Sequence, residues 1–448
     1  MIEFLLDQFA ANRDRDALVW RGETVRYGWL LDRVREWTGR LEREDVPPGA
    51  VVVIEGDFSP NSVALFLALA DRRCVLVPLT SAVAARRAEF LEIGEVEWSF
   101  SIDEGDAVTS ASLGRAATHP FYGTLRERHH PGLVLFSSGS TGKSKAAVHD
   151  LAGILEKFRT PRHALRTISF LLYDHIGGVN TMLYTLSNAG CLVTVPDRRP
   201  DAVLEAVERH RVELLPTSPT FLNLVLLSEA YMRHDLSTLR TVTYGTEPMP
   251  ESTLRRFHEL FPDKTLLQTY GSSEVGILRS KSKSSDSLWV RVGGEGFKTR
   301  VVDGILHIKA RSAMLGYLNA PSPFTEDGWF DTRDAVEVDG EYIRILGRVT
   351  EIINVGGEKV YPAEIESVIQ GVENVAAATV FGERNPITGQ IVCARITPMR
   401  PEDPRALAAR VKAVCRDHLR SFQVPVRIKV VEDRQYSERF KKTREADA

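Results

Sequence analysis

Leu133-Val-Leu-Phe-Ser-Ser-Gly-Ser-Thr-Gly-Lys-Ser-Lys145 carries the decisive signal in this chain. Four apolar residues predict a buried strand, which runs straight into a loop dense in serine, threonine and glycine and ending on two lysines. Glycine lets the backbone turn several N–H groups toward one point, and hydroxyls add donors with little bulk. Such a loop suits phosphate oxygens better than it suits a bland polar surface turn. It is not a Walker A motif: Gly142-Lys143-Ser144 would require glycine at position 137, where the chain has Ser137.

Outward from this loop, short apolar runs alternate with longer amphipathic stretches. Val51-Val-Val-Ile-Glu55 and Cys74-Val-Leu-Val-Pro78 predict strands on either side of a helix over Ser62 to Leu69. Cys191-Leu-Val-Thr-Val195, a helix over Ala202 to Arg211, and Val212-Glu-Leu-Leu215 repeat the pattern. Strand–helix–strand alternation implies largely parallel sheets covered by helices. The pattern shifts at Val336-Glu-Val-Asp-Gly-Glu-Tyr-Ile-Arg-Ile-Leu346, where Asp339-Gly340 predicts a hairpin turn between alternating strands. Beyond Gly347-Arg348 lie about a hundred residues, enough for a separate core. Within them Pro362 suits a first helical turn, Ile365, Val368 and Ile369 form an apolar stripe, and Gly371 ends it. The expected fold is α/β. A large N-terminal domain over 1–347 holds mixed, largely parallel sheets covered by helices. A hinge follows near 348–350, and 348–448 forms a small mobile α+β C-terminal domain.

Composition narrows the classes. Of 448 residues, 43% are hydrophobic and 26% charged, which excludes collagen-like, coiled-coil and wholly disordered chains. Lys+Arg number 57 against 60 Asp+Glu, a net charge of −3, so no basic surplus points to nucleic acid. The longest apolar run, Ser62 to Ala70, stops at Asp71-Arg72-Arg73, far short of the roughly 20 residues of a membrane helix. Met1-Ile-Glu-Phe-Leu-Leu-Asp-Gln has an acid where a secretion signal would be basic. Cys74, Cys191, Cys393 and Cys415 lie far apart with no metal-site spacing. Buried free thiols in a cytoplasmic protein are expected.

The segment Ser137 to Lys145 resembles the phosphate-loop signature of the adenylate-forming superfamily, which includes acyl-CoA synthetases, peptide-synthetase adenylation domains and firefly luciferase. Ser137 stands where threonine is common, Ser144 where proline is usual and Ala146 where glycine is usual; His149 fits the motif's tail. Four further segments follow in the family's order. Thr243-Tyr-Gly-Thr-Glu-Pro248 is similar to the adenine-pocket loop. Gln268-Thr-Tyr-Gly-Ser-Ser-Glu274 resembles the tyrosine–glycine–x–threonine–glutamate motif, with Ser273 for threonine. Phe330-Asp-Thr-Arg-Asp334 resembles the ribose-binding segment, with Arg333 for glycine, and Leu346 to Pro362 resembles the hinge and the loop after it.

The resemblance implies a role for each position. Ser137, Ser138, Gly139, Ser140, Thr141, Gly142 and Lys145 would hold phosphates. Gly245, Thr246, Glu247, Pro248, Tyr270, Gly271 and Ser273 would surround the adenine, Asp334 would accept from the ribose hydroxyls, and Arg348 would contact ribose or phosphate. Glu274 would help hold Mg²⁺, an oxygen-seeking ion. Aligning Arg444 in Ser437-Glu-Arg-Phe-Lys-Lys-Thr-Arg444 makes Lys441 the catalytic lysine, with Phe440 in the place of a usual glycine. In Leu171-Leu-Tyr-Asp-His-Ile-Gly-Gly178, the spacing to Gly178 favours His175 over Asp174 as the acyl-pocket residue, hence a simple carboxylic acid over an amino acid. Thr350 takes the hinge position, and Gly356 and Gly357 would line the acceptor tunnel.

These assignments serve one reaction. A carboxylate must attack the α-phosphorus of ATP, and two like charges about 4 Å apart repel by about 4 kcal/mol at an effective dielectric of about 20. Cations must offset that repulsion. The expected activity is ATP-dependent formation of an acyl adenylate with release of pyrophosphate, then acyl transfer to an acceptor. Coenzyme A is the default. An amine, as in coronafacate-ligase-like amide synthetases, and a carrier-protein thiol are the alternatives. From other classes stand a P-loop kinase or ATPase and a catalytically silent nucleotide-binding protein.

Overall fold

The strand Val51–Glu55 has four consecutive buried residues, the mark of a strand covered on both faces. In the computed structural model, which describes residues 1–138, 144–432, 435–437, 440 and 442, it pairs in parallel with Val75–Leu79 and Trp98–Ile102. The full seven-stranded sheet runs Gly316–Tyr317, Ser144–Asp150, Gly132–Ser138, Val75–Leu79, Val51–Glu55, Trp98–Ile102, Val108–Ser112. Its centre is parallel and its edges are antiparallel. A second seven-stranded sheet runs Thr265–Gln268, Thr241–Tyr244, Leu214–Thr217, Arg166–Ile168, Cys191–Val193, Asp16–Trp20, Glu23–Arg26, parallel except for its last pair.

The helices Tyr27–Arg43, Pro60–Asp71 and Ile176–Ser187 share one apolar core with Leu18 and Leu192 of the second sheet and Val52, Leu76 and Leu133 of the first. Pro60–Asp71 is apolar on nearly every side, as a helix enclosed on all faces must be. It starts two residues before its apolar run. Ser59 Oγ accepts from the Ser62 N–H, Ser62 Oγ accepts from the Ser59 N–H, and Pro60 presets the first turn.

A third, antiparallel sheet of six strands runs Arg279–Ser282, Trp289–Gly293, Tyr342–Arg348, Phe330–Asp339, Ile305–Ala310, Phe297–Val302. Only its last hairpin is legible in the sequence, and its turn lies one residue later than Asp339-Gly340. Asp339 pairs with Tyr342, leaving Gly340 and Glu341 as the turn, with Gly340 at φ +60° in the conformation that favours glycine there.

The small C-terminal domain is built on the strands Ile353–Val355, Glu358–Val360, Val375–Asn385, Gly389–Pro398 and Arg427–Val430. Helices Pro362–Gln370 and Pro404–His418 close its own core around Ile365, Val380, Ile396 and Leu407. The first of these helices begins on Pro362 and is capped by Gly371. Asn223 Nδ2 donates to the Ala376 carbonyl at 3.0 Å, and the Ser252 N–H donates to Ser367 Oγ at 3.2 Å, tying the small domain to the large. All four cysteines are buried and free. Among the described residues no helix is long and apolar enough to cross a membrane.

The turn into Ile176–Ser187 is held by clearance. A methyl group on Gly178 would sit 1.9 Å from the Leu172 carbonyl oxygen, whereas one on Gly177 would meet only the end of the Leu171 side chain at 2.8 Å and the His175 ring. Gly178→Ala is expected to cost about 1–3 kcal/mol and to lower the thermal midpoint clearly more than Gly177→Ala in a side-by-side melt.

Candidate active site

Four parallel strands, Arg166–Ile168, Leu214–Thr217, Thr241–Tyr244 and Thr265–Gln268, end on one edge of their sheet. The chain leaves that edge through the loops that carry His175, Ser218, Gly245 to Pro248, and Tyr270 to Glu274. The carboxyl ends of parallel strands are where open α/β sheets take ligands. The loops are in direct contact. A methyl group on Gly245 would lie 2.5 Å from Thr269 Oγ1 and 2.8 Å from its carbonyl oxygen, so only glycine admits the approach. Thr246 follows at φ +74°, and Glu247 Oε1 accepts from the Thr220 N–H at 2.8 Å.

Two acids reach this edge, each held by a tyrosine. Tyr270 Oη donates to Asp334 Oδ2 at 2.5 Å, and Arg348 Nε lies 3.5 Å from Asp334 Oδ1. Asp334 and Arg348 are brought together because they face each other across the antiparallel strands Phe330–Asp339 and Tyr342–Arg348. Burial pushes the Asp334 carboxyl up, against the opposing pull of Arg348 and of the Tyr270 hydroxyl. Burial, and then the Asp334 charge, push the Tyr270 phenol far up, so it keeps its proton and donates.

The second acid is Glu274. Its Oε1 accepts from Tyr317 Oη at 2.5 Å, and the Lys145 ammonium lies 5.4 Å from the Tyr317 ring centre. Tyr317 therefore links the carboxylate to the hairpin Gly132–Ser138/Ser144–Asp150, in which Ser137 faces Lys145 and Ser138 faces Ser144. Asn319 fixes the returning strand: its Nδ2 donates to the Ser144 carbonyl at 2.8 Å and its Oδ1 accepts from the Ala146 N–H at 3.1 Å. The sequence leads from this strand into another strand, not into a helix. That overturns the P-loop kinase alternative, whose phosphate loop opens a helix. His149, at the end of the motif, is fully buried; burial lowers its ring to about 4, so it is neutral at pH 7.

His175 caps the helix Ile176–Ser187, its Nδ1 accepting from the Gly177 N–H at 3.1 Å, and Asp174 accepts from Thr80 Oγ1 at 2.7 Å. Gly271 lies in a short strand paired with Gly276–Ile277, and Ser273 follows it. Thr350 sits in the exposed helical turn Val349–Glu351 just after the third sheet. Gly356 and Gly357 form the turn between Ile353–Val355 and Glu358–Val360, with open space where side chains would project. Gly139, Ser140, Thr141, Gly142 and Lys441 lie outside the described residues.

Three residues of this region escape the sequence motifs. Tyr317 and Asn319 act through the fold and carry no spacing signal. Lys157 is the third: its Nζ donates to Asn180 Oδ1 at 2.6 Å and to the Ile277 carbonyl at 2.9 Å, bridging the helix behind His175 and the strand behind Glu274. Burial, with Arg279 and Arg162 adding to it, lowers its ammonium to about 7.

Motif-bearing loops on the carboxyl edge of a parallel sheet, joined to a small C-terminal domain, are the arrangement expected of adenylate-forming enzymes. The AMP-binding enzyme model matches residues 93–318, and the model for the C-terminal domain of AMP-binding enzymes matches 364–446. The chain belongs to the AMP-binding enzyme family. It is 29% identical over 299 residues to indoleacetate–CoA ligase of Aromatoleum aromaticum, a match covering 60% of this chain and 58% of that protein. It is 24% identical over 446 residues to feruloyl-CoA synthase of an Amycolatopsis species, covering 90% and 89%. The amide bond synthetase McbA of Marinactinospora thermotolerans superposes with a TM-score of 0.75 at 25% identity, over 97% of this chain and 96% of that one.

Lys157 gives a pH test. Its ordinary value is 10.5, so between about 7 and 10.5 the unfolded chain holds a proton that the folded chain has released. Stability rises with pH across that window, by up to about 1.4 kcal/mol per pH unit, and is lost as pH falls toward 7. In Lys157→Met the dependence vanishes, so the variant's thermal midpoint relative to the parent should fall steadily from pH 7 to pH 10; a constant difference would contradict the assignment.

Proposed function

We propose that this protein is an ATP-dependent carboxylate–AMP ligase that passes its acyl group to a thiol, by default that of coenzyme A. One observation carries the reading. Within a member of this family, Asp334 with Tyr270 and Arg348, and Glu274 with Tyr317 and Lys145, meet at the carboxyl edge of a parallel sheet.

In this reading Asp334 accepts from the ribose hydroxyls and Tyr270 lies against the adenine, with Gly245, Thr246, Glu247, Pro248, Gly271 and Ser273 around it. Arg348 supplies positive charge from the hinge side. Ser137, Ser138 and Lys145, with the loop between them, hold the phosphates. His175 lines the acyl pocket. A carboxylate oxygen attacks the α-phosphorus, an acyl–oxygen–phosphorus bond forms, the α–β bridge breaks, and pyrophosphate leaves with the electron pair. Lys441 lies between the two anions as a compact point charge.

Mg²⁺ fits the donor set. Among the described residues no cluster of three metal-binding side chains exists, and Mg²⁺ is ordinarily held by one or two carboxylates plus phosphate oxygens and water. Glu274 is the carboxylate for it, where the ion would neutralise phosphate charge. A hinge near 348–350, with the domains dividing at 347/348, is part of this reading; the end of the third sheet at Arg348 and the start of the small core at Ile353 support a break in this stretch. Rotation there would bring Gly356 and Gly357 to the acceptor, whose nucleophile attacks the acyl carbon and releases AMP. An amine acceptor is the second reading, supported by the likeness to an amide bond synthetase along nearly the whole chain. Four free buried thiols support a cytoplasmic setting.

A screen of carboxylic acids for pyrophosphate release, repeated with coenzyme A and with simple amines and read by mass, tests the reading. Carboxylate-dependent exchange of labelled pyrophosphate into ATP is expected, and its absence with every acid would remove it. Lys441→Ala should slow that exchange by roughly 10²–10³-fold. Asp334→Asn should raise the KM for ATP about 10- to 100-fold, the worth of hydrogen bonds to a charged group, as read from initial rates of pyrophosphate release.

A further inference from the structure

Phe440 occupies the position where the resembled motif carries glycine, and it adopts the backbone that glycine would have allowed. Its φ is +53°, in the left-handed region that bulky residues avoid. Such a conformation persists only when surrounding contacts over-determine it, and here they do. The Phe440 ring lies 5.2 Å from Phe170 and 5.6 Å, edge-on, from Phe221, both fully buried in the large domain. Tyr436 stacks on it at 5.7 Å and 15°, and the Arg198 guanidinium lies 5.6 Å from its centre. Its carbonyl oxygen accepts from Ser218 Oγ at 2.8 Å, at the carboxyl end of the strand Leu214–Thr217.

Two residues on, Lys442 is fixed from both sides. Its N–H donates to Glu247 Oε2 at 3.1 Å, on the adenine-side loop of the large domain. Its Nζ lies 2.9 Å from Glu366 Oε2, a buried carboxylate on the small domain's helix Pro362–Gln370. The Lys442 ammonium is thereby committed to Glu366, which leaves Lys441 as the lysine of the pair for chemistry. In sequence, Lys441 lies between two residues whose main chains are both bonded to the large domain.

We propose that Phe440 is a positioning residue: its ring docks the end of the chain in an aromatic box of the large domain and so sets Lys441 for the first half-reaction. A glycine would leave the segment free to come and go, whereas phenylalanine exchanges that freedom for hold. The ring must leave the box before the small domain can turn, so the contact that favours adenylation opposes acyl transfer. This inference rests on the assignment of Lys441 above.

The test uses the whole 448-residue chain and three substitutions, Phe440→Gly, Phe440→Ala and Phe440→Trp; an opening of about 400 Å³ beside Tyr436, Phe440 and Leu224 has room for the larger ring. Pyrophosphate exchange, single-turnover transfer from a chemically prepared acyl adenylate, and hydrogen exchange at the Lys442 amide are measured for each. Gly and Ala variants should exchange pyrophosphate roughly 10- to 100-fold more slowly with KM for ATP within about twofold, the signature of misplacement without lost binding. Their transfer step should be no slower than the parent's, the Lys442 amide should exchange faster, and Trp should restore parental behaviour. Parental adenylation by Phe440→Gly, or equal slowing of both half-reactions with an unchanged Lys442 amide, overturns the inference. If the parent adenylates no acid, the functional reading fails by itself, and protection of the Lys442 amide still decides whether Phe440 docks the segment. Ser218→Ala, which removes the carbonyl contact together with the cap that Ser218 Oγ places on the Phe221 N–H, should act in the same direction more weakly; it serves if the Ala variant does not fold, with its thermal midpoint read alongside to separate the loss of the cap.

Discussion

A carboxylate kept from water between a phenol and a guanidinium is the constraint on which the rest of the site depends. Asp334 has its charge penalised by burial and partly offset by Arg348 and Tyr270. Each partner comes from a different part of the chain. Tyr270 follows a strand of the parallel sheet, while Asp334 and Arg348 belong to the antiparallel one. The acid therefore fastens one layer to another at the edge where the loops gather. Without it the third sheet would have much less reason to lie where a nucleotide is read.

The same economy holds for Glu274 and the hairpin. Tyr317 pairs with Ala147 across a two-residue strand, and that pairing carries its hydroxyl to Glu274 and its ring to Lys145. Neither acid depends on its own loop alone for position. Both are held by side chains from elements that sequence spacing does not connect.

Much of the architecture was legible because burial on both faces writes itself as unbroken apolar runs, as in Val51–Glu55. The family motifs were legible because glycines and acids stand at fixed intervals, and family membership bears out that reading of the chain as a whole. The antiparallel sheet over 279–348 was largely missed. Its strands alternate and are partly exposed; Phe297–Val302 has no buried residue, so no apolar run marks it. Helix starts were off by two residues where a serine cap or a proline, and not the apolar run, set the boundary, as at Ser59-Pro60 and Pro200. Tyr317, Asn319 and Lys157 were invisible for a different reason. Their significance lies in partners 23 to 175 residues away, at no spacing that a motif would mark, and a single sequence does not record contacts.

The phosphate hairpin constrains what length changes this chain can accept. In paired strands successive side chains point to opposite faces, so a shift of one position turns every one of them over. Ser137 opposes Lys145 in a ladder that continues to Gly132 and Asp150, and the next strand over pairs with Val148 and Ala147. An insertion or deletion of a single residue near positions 139–143, taken up by sliding of the strand, would rotate Lys145 away from the Tyr317 ring and swing the buried His149 toward the opposite side. Substitutions in that loop alter chemistry locally, whereas indels there would rewrite an entire sheet edge.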